Sequence, residues 1–296
     1  MTASPATSAD GLARWARIGS RVLLGLGIAL AATYWFLLTQ GGGQPVDAQA
    51  YWAADPNNLY ANPALQNGYN YSPAWELLIG WGRLLPLATF VAIFRAVILV
   101  ALVWLAGPLT LFVLFLPPVA SEVNAGNIQF LLATAIVLSF RSGDGWGSTW
   151  AFVLLTKVSP GIGLLWFALR REWRKLAWAI GVTGAVAILT FAIWPDRWFA
   201  WLGLLTGGAG STAVPPYNLS IWVRLPFAVG FVLLGAWRGW RWPVVVAGTL
   251  ALPVFFFLSP SMLVGVLPFL REATGRWLAS RAGPTPASAA TAPAGA

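Results

Sequence analysis

The residues best suited to chemistry lie in one polar, aromatic stretch, Asp47 to Glu76, in a chain that is otherwise mostly apolar. Asp47 follows the first long apolar run, where a carboxylate is partly desolvated and can still reach a cavity. A carboxylate with a raised pKa can accept a proton from a hydroxyl group, as a general base does. The alternative is a solvated loop acid, and this interpretation suits Asp55 better because Asp-Pro-Asn-Asn favours a turn.

Other polar residues sit where catalysis or binding would use them. Tyr51, Tyr60 and Tyr71 accompany Asp47 in the same stretch. Tyrosines there serve either as interfacial anchors or as faces on which sugar rings stack. Farther along, Glu122 precedes Asn127 and Gln129 between two short apolar runs. A carboxylate there either pairs with a cation to hold the bundle together or takes part in function.

The composition shows which kind of scaffold must position these residues. Hydrophobic residues make up 58% of the chain and charged residues 9%, and the mean hydropathy is +0.71. So little charge cannot cover the surface of a soluble domain, so we expect a polytopic membrane protein. The net charge of +9 could suggest nucleic acid. The cations instead cluster between apolar runs, as in cytoplasmic loops, and we expect no nucleic-acid partner.

The residue inventory limits the chemistry. There are no cysteines and no histidines. This excludes disulfides, Cys or His metal sites, and every mechanism that needs a thiol or an imidazole. No Asp-x-Asp pair stands near Asp47, so we propose no metal site there, and we expect no cofactor.

The first apolar run, Val22 to Leu38, is long enough to span a bilayer and lacks a cleavage site. Arg14, Arg17 and Arg21 precede it and predict a cytoplasmic start. We therefore divide the chain into a cytoplasmic tail (1–19), one transmembrane domain (20–282) with an external loop (40–72), and a disordered C-terminal tail (283–296). Both termini are expected in the cytoplasm of a multi-pass cell-membrane protein.

Several later segments are too short to cross a membrane. Pro73 to Leu85 suits an interfacial helix whose polar face carries Glu76 and Arg83. The short apolar segments are Pro108 to Pro117, Phe130 to Phe140, Trp150 to Thr156 and Gly161 to Leu169. They predict half-spans or broken helices, which are tolerated where protein or a watery cavity surrounds them.

Two arrangements compete for 150–169. One continuous helix would place Lys157 in mid-membrane, whereas a break at Ser159-Pro160 keeps Arg141 and the Arg170-Arg171 cluster on the same side. We adopt the break. Near the end of the chain, Val244 to Leu258 is expected to return outward.

The resulting arrangement has about ten hydrophobic segments. It leaves all but five of the eighteen cations in the cytoplasm. The exceptions are Arg83, Arg95, Lys157, Arg197 and Arg224. Cations that depart from the charge bias are candidates for binding an anion, although Lys157 could instead snorkel and Arg224 could contact headgroups.

Five ordered motifs resemble those of glycosyltransferase family 87, the polyprenyl-phosphate-mannose-dependent mannosyltransferases of the GT-C superfamily. They are Asp47 with Tyr51; Leu59-Tyr60 with Tyr69-Asn70-Tyr71-Ser72-Pro73; Gly126-Asn127-Ile128-Gln129; Lys157-Val158-Ser159-Pro160; and Asn218-Leu219-Ser220 through Arg224. The last three depart in detail from the family patterns, for example with Gly-Asn-x-Gln in place of Gly-Gln-x-Asn.

The resemblance implies an all-α, GT-C-like transmembrane bundle that moves a sugar, typically mannose or arabinose, from a polyprenyl-phosphate donor to a lipid-linked or cell-envelope glycan acceptor outside the membrane. Transfer of a hexose, mannose, is the first expectation. Asp47 matches the catalytic base of the family. Lys157, Arg224 and Arg95 would hold the donor phosphate. The expected substrate-binding residues are Tyr51, Tyr60, Tyr71, Glu122, Asn127, Gln129 and Asn218.

Two other functions remain open from the residues. Broken helices and buried ions also occur in transporters and lipid translocases, which place their cavity near the midplane. A degenerate family member acting as a partner subunit is the third possibility.

Overall fold

The computed structural model describes residues 5–61, 68–206 and 219–281. These three stretches form α-helices, short 3₁₀ segments and one kinked π-helical segment, Leu38–Gly42, and contain no strands. The first seven helices are α1 (Pro5–Leu37), α2 (Val46–Ala53), α3 (Pro73–Ile79), α4 (Leu87–Ala106), α5 (Thr110–Val113), α6 (Pro117–Ala125) and α7 (Gln129–Ser139). The next seven are α8 (Trp150–Thr156), α9 (Leu165–Leu169), α10 (Trp173–Ile193), α11 (Pro195–Thr206), α12 (Ile221–Arg238), α13 (Trp242–Leu250) and α14 (Leu267–Arg281).

Four helical segments in the described part of the chain are long and apolar enough to cross a membrane. They are Arg14–Gly42, Leu87–Val113, Trp173–Ile193 and Ile221–Arg238. The prediction of an all-α polytopic protein is therefore confirmed. The helix α1 begins at Pro5, so most of the predicted N-terminal tail continues the first span as helix. The predicted C-terminal tail, 283–296, lies outside the described residues.

The helix is interrupted between α8 and α9, as the favoured arrangement predicts. Lys157 ends α8 in an extended conformation, with φ −138° and ψ 105°, and a 3₁₀ segment, Ser159–Leu164, follows. Pro160 lacks the N–H that a continuous helix would use, which explains the interruption. Lys157 therefore lies at a helix end and not in the middle of a long helix.

The segment after α13 is less helical than the sequence predicts. The helix stops at Leu250, and irregular backbone leads to the 3₁₀ segment Ser259–Val266. The Arg224 guanidinium donates to the carbonyl oxygens of Leu250, Leu252 and Pro253. Irregular backbone inside a membrane protein needs such partners because no water satisfies its carbonyls.

The predicted polar face of an interfacial helix at Glu76 and Arg83 is wrong. Glu76 lies in α3 but is only 5% exposed, and its carboxylate pairs with Arg83 in the following 3₁₀ segment, Gly80–Leu84. A buried carboxylate needs a counter-charge, and that need outweighs the amphipathic pattern here.

The centre of the bundle is formed by α4 and α7. Along α4, Phe94, Ile98, Leu102 and Leu105 are buried on one face, at the spacing that places side chains on the same side of a helix. Close packing extends to the C-terminal half, where Gly265 lies against Ala133 of α7. Small residues at such contacts let helices approach closely in a membrane. This core positions the ends of α6, α7 and α8 against α2.

Candidate active site

Asp47 lies in the first turn of α2, just after the kinked end of α1. A carboxylate is favoured there because the helix N-terminus carries partial positive charge. The connection between the helices is fixed by Asn124, whose Oδ1 accepts from the Gln44 N–H at 3.0 Å. At its other end, α2 is tied to the start of α4 by the Trp52 indole, which donates to the Leu85 carbonyl at 2.9 Å.

A close contact between backbones brings the α6–α7 turn to Asp47. Gly126 has φ +69°, and a Cβ placed on it would lie 2.7 Å from the Ala48 Cβ. Only glycine combines this left-handed conformation with such a close approach. The next residue, Asn127, is thereby positioned to hydrogen-bond to the Asp47 carboxylate.

Asp47 is partly exposed and lies outside the four candidate spans. Burial raises its pKa to about 6, while the charge of Lys157 and the hydrogen bond from Asn127 lower it. A carboxylate with this pKa is mostly ionised at neutral pH and is basic enough to share a hydroxyl proton. A carboxylate with these properties can act as a general base.

Lys157 interacts electrostatically with two carboxylates. Its charge acts on Asp47 and on Glu122, and Glu122 is completely buried. The Glu122 Oε1 also accepts from the backbone N–H of Gln129 at 2.6 Å, at the start of α7. Ser261, from the 3₁₀ segment near the C-terminus, approaches the same carboxylate. Ser261 is not identified as a site residue by the sequence analysis, because the residue is remote in the chain from every motif considered there.

Tyrosines form the wall beside this cluster. The hydroxyls of Tyr51 and Tyr71 lie 2.9 Å apart, and their rings meet edge to face with centroids 5.2 Å apart. The Tyr60 hydroxyl donates to the Tyr71 carbonyl at 2.8 Å. The Lys157 Nζ lies 6.0 Å from the centre of the Tyr71 ring. The rings of Tyr51 and Tyr71 are almost fully buried, so they support the cluster more than they present open faces.

The comparison with family models matches residues 69–283 to "Glycosyltransferase family 87". This match spans well over half of the chain. The chain belongs to glycosyltransferase family 87. The resemblance noted in the sequence is confirmed, and membership makes the protein a membrane glycosyltransferase. No curated protein and no solved structure matches the chain.

The family 87 match includes Tyr71, Glu122, Asn127, Gln129 and Lys157 and begins after Asp47. These residues come from the loop before α3, from the α6–α7 turn and from the end of α8, segments far apart in the chain. The structure brings Tyr71, Asn127, Glu122 and Lys157 to the Asp47 carboxylate of α2. Gln129 reaches this group through its backbone N–H, which donates to Glu122.

The other two predicted phosphate ligands of this family 87 glycosyltransferase contact backbone oxygens. Arg95 donates to the Leu38 carbonyl at 3.1 Å and to the Asn124 carbonyl at 2.5 Å. Arg224 donates to the Leu219 carbonyl at 2.7 Å, in addition to the carbonyls after α13. Both arginines are buried. The predicted substrate ligand Asn218 lies outside the described residues.

Proposed function

We propose that this family 87 enzyme, of GT-C type, transfers a hexosyl group, with mannosyl as the first candidate, from a polyprenyl-phospho-sugar to a lipid-linked or cell-envelope acceptor on the outer face of the membrane. Asp47 is the general base. One observation carries the proposal: a partly exposed carboxylate with a pKa of about 6 lies beside Lys157 and Asn127.

In the proposed reaction, the acceptor hydroxyl oxygen forms a bond to the anomeric carbon and its proton passes to Asp47. The bond from the anomeric carbon to the phosphate oxygen breaks, and the polyprenyl phosphate leaves with the electron pair. Attack from the face opposite the leaving group inverts the anomeric centre. The departing phosphate gains negative charge, which Lys157 offsets in a site with little water.

The surrounding residues support these two. Asn127 orients the Asp47 carboxylate through its hydrogen bond. Glu122 holds the start of α7 through the Gln129 N–H and balances the charge of Lys157. We place the donor phosphate at Lys157, because the contacts of Arg95 and Arg224 favour a role in supporting the backbone.

The proposal is tested by measuring transfer from radiolabelled polyprenyl-phospho-mannose to membrane lipids, with purified protein in nanodiscs. Asp47→Asn should reduce transfer by at least about 10³-fold while donor binding remains, since the amide cannot accept the proton. Asp55→Asn is the matched control. Asp55 is exposed, and its carboxylate accepts from the Asn57 N–H at 2.8 Å, so the transfer rate of Asp55→Asn should match wild type. Wild-type rates in Asp47→Asn would refute the assignment.

A further inference from the structure

A charged cavity lies beyond the end of α7 that is remote from Gln129. It has a volume of about 400 Å³ and is lined by the ends of α4 and α7, the start of α13 and the start of α14. Asp47, Glu122, Asn127 and Lys157 are here called the Asp47 cluster. The helix α7 begins at Gln129, beside this cluster, and reaches the cavity at Val137 and Phe140. Eleven residues of helix separate the two sites by roughly 16 Å.

The lining combines cations with aromatic rings. Arg141, Arg241 and Arg271 contribute positive charge, and Glu272 is the one carboxylate among the lining residues. Arg141 lies over the rings of Trp104 and Trp146, 5.4 and 5.2 Å from their centroids. Arginines held on aromatic faces are partly oriented before a ligand arrives, and their planar donors suit phosphate oxygens.

The three arginines differ in what they already contact. Arg271 donates to the Leu105 carbonyl at 2.7 Å, so it supports the end of α4. Arg241 lies 3.9 Å from Glu272, a long ion pair whose side chains are nearly half exposed. Within the described residues, no carboxylate lies within ion-pair distance of Arg141. Arg141 and Arg241 can therefore turn donors toward an anion.

An apolar stripe connects this cavity to the lipid-facing surface. Ile93, Val97, Val100 and Trp104 are exposed large side chains of α4, and their spacing places them on one face. The stripe ends at Trp104, which lines the cavity. A free phosphate ion would use only the arginines, whereas a phospholipid would also place an acyl chain along the stripe.

We propose that this cavity binds the headgroup of an anionic phospholipid, with its phosphate between Arg141 and Arg241 and an acyl chain along α4. Basic pockets between transmembrane helices recognise such headgroups on the cytoplasmic side. By the charge bias, this end of the bundle is the cytoplasmic one. The site is separate from the Asp47 cluster and does not depend on the proposed reaction.

The test uses thermal unfolding of the purified full chain in dodecyl maltoside, a neutral detergent. Dioctanoyl phosphatidylglycerol, dioctanoyl phosphatidylcholine and inorganic phosphate are titrated separately. The anionic lipid should raise the unfolding midpoint of wild type by roughly 3 °C at ten times its Kd. The other two should have little effect. An equal shift with inorganic phosphate, or with the zwitterionic lipid, would overturn the assignment to an anionic phospholipid.

Variants locate the site. Arg141→Gln with Arg241→Gln should weaken the response to phosphatidylglycerol at least about tenfold. Arg17→Gln with Arg21→Gln removes the same charge from exposed positions of α1 and should leave the response unchanged. Equal losses in the two double variants would show a nonspecific charge effect and refute the site.

A third variant guards against simple damage to the fold. Glu272 pairs closely with Arg276 and at 3.9 Å with Arg241. Glu272→Gln removes the carboxylate that competes with a phosphate for Arg241, so it should strengthen phosphatidylglycerol binding roughly two- to fivefold. A structural role for these arginines alone predicts no such gain, so unchanged or weaker binding would contradict the proposal.

Discussion

At the scale of single residues, Asp47 in α2 and Asp55 just after α2 show how the environment gives two aspartates different properties. Asp55 caps its own turn through the Asn57 N–H. Asp47 is drawn against α6 and α7, where burial raises its pKa and Lys157 keeps it ionisable. The difference comes from neighbours that lie 80 to 110 residues away in the chain.

The pH dependence of transfer should report Asp47. Below a pKa of about 6 the carboxylate holds a proton, so we expect kcat/KM to fall tenfold per pH unit on the acid side. Lys157→Gln removes a charge that lowers this pKa, so the acid limb should move to higher pH. Lys175→Gln, at the other lysine of the chain, is the control. An acid limb that does not move in Lys157→Gln would contradict the pairing.

The pH dependence of the protein's stability should also reflect the raised pKa of Asp47. The folded-state pKa of Asp47, about 6, exceeds its ordinary value of 3.8. Protonated Asp47 therefore contributes to the free energy of unfolding. This contribution is fully present below pH 3.8 and is lost as the pH rises through 6.

Asp47→Asn mimics the protonated acid at every pH. It should stabilise the protein by about 1–3 kcal/mol at pH 7.5 and by much less at pH 4.5. Thermal unfolding at the two pH values measures this. An equal effect at both would mean that Asp47 is not desolvated.

At the scale of elements, the site depends on short helices that meet end to side. The α6–α7 turn touches α2 through Gly126 and Ala48. Arg95 fastens the end of α1 to α6 through the Leu38 and Asn124 carbonyls. A buried arginine used in this way explains why α4 carries a charge deep in an apolar span.

Gly126→Ala should therefore reduce sugar transfer as well as the stability of the fold. The substitution meets both a positive φ and the Ala48 Cβ at 2.7 Å, so we expect a loss of about 2–4 kcal/mol and at least tenfold lower transfer. Gly239→Ala is a matched control, since Gly239 also has φ +69° but has no atom within 4 Å of the added Cβ.

The control should lose only about 1 kcal/mol and retain transfer. Thermal unfolding and the transfer assay separate the two effects. Comparable losses of transfer in both variants would show that contact with α2 does not matter.

At the scale of the whole molecule, the arrangement places the Asp47 cluster and the arginine cavity at opposite ends of the bundle. From the distribution of cations we expect the first end outside the membrane and the second in the cytoplasm.

Single cysteines can test this orientation, because the native chain has none. Asp55→Cys should react with a membrane-impermeant maleimide in intact cells, while Ser280→Cys, at an exposed position of α14, should react only after permeabilisation. Wild type gives the background. Labelling of Ser280→Cys in intact cells would refute a cytoplasmic C-terminal helix.

The sequence by itself determined the membrane class, the helical fold, the break after Lys157 and the family, because apolar length, proline and motif order are local properties. Only the tertiary structure decided which charged groups meet. It joined Asp47 to Asn127 and Lys157, buried the Glu76–Arg83 pair, and directed Arg95 and Arg224 to carbonyl oxygens. Burial and counter-charge depend on residues from distant segments, and backbone carbonyls left free by irregular helices compete with ligands for buried arginines.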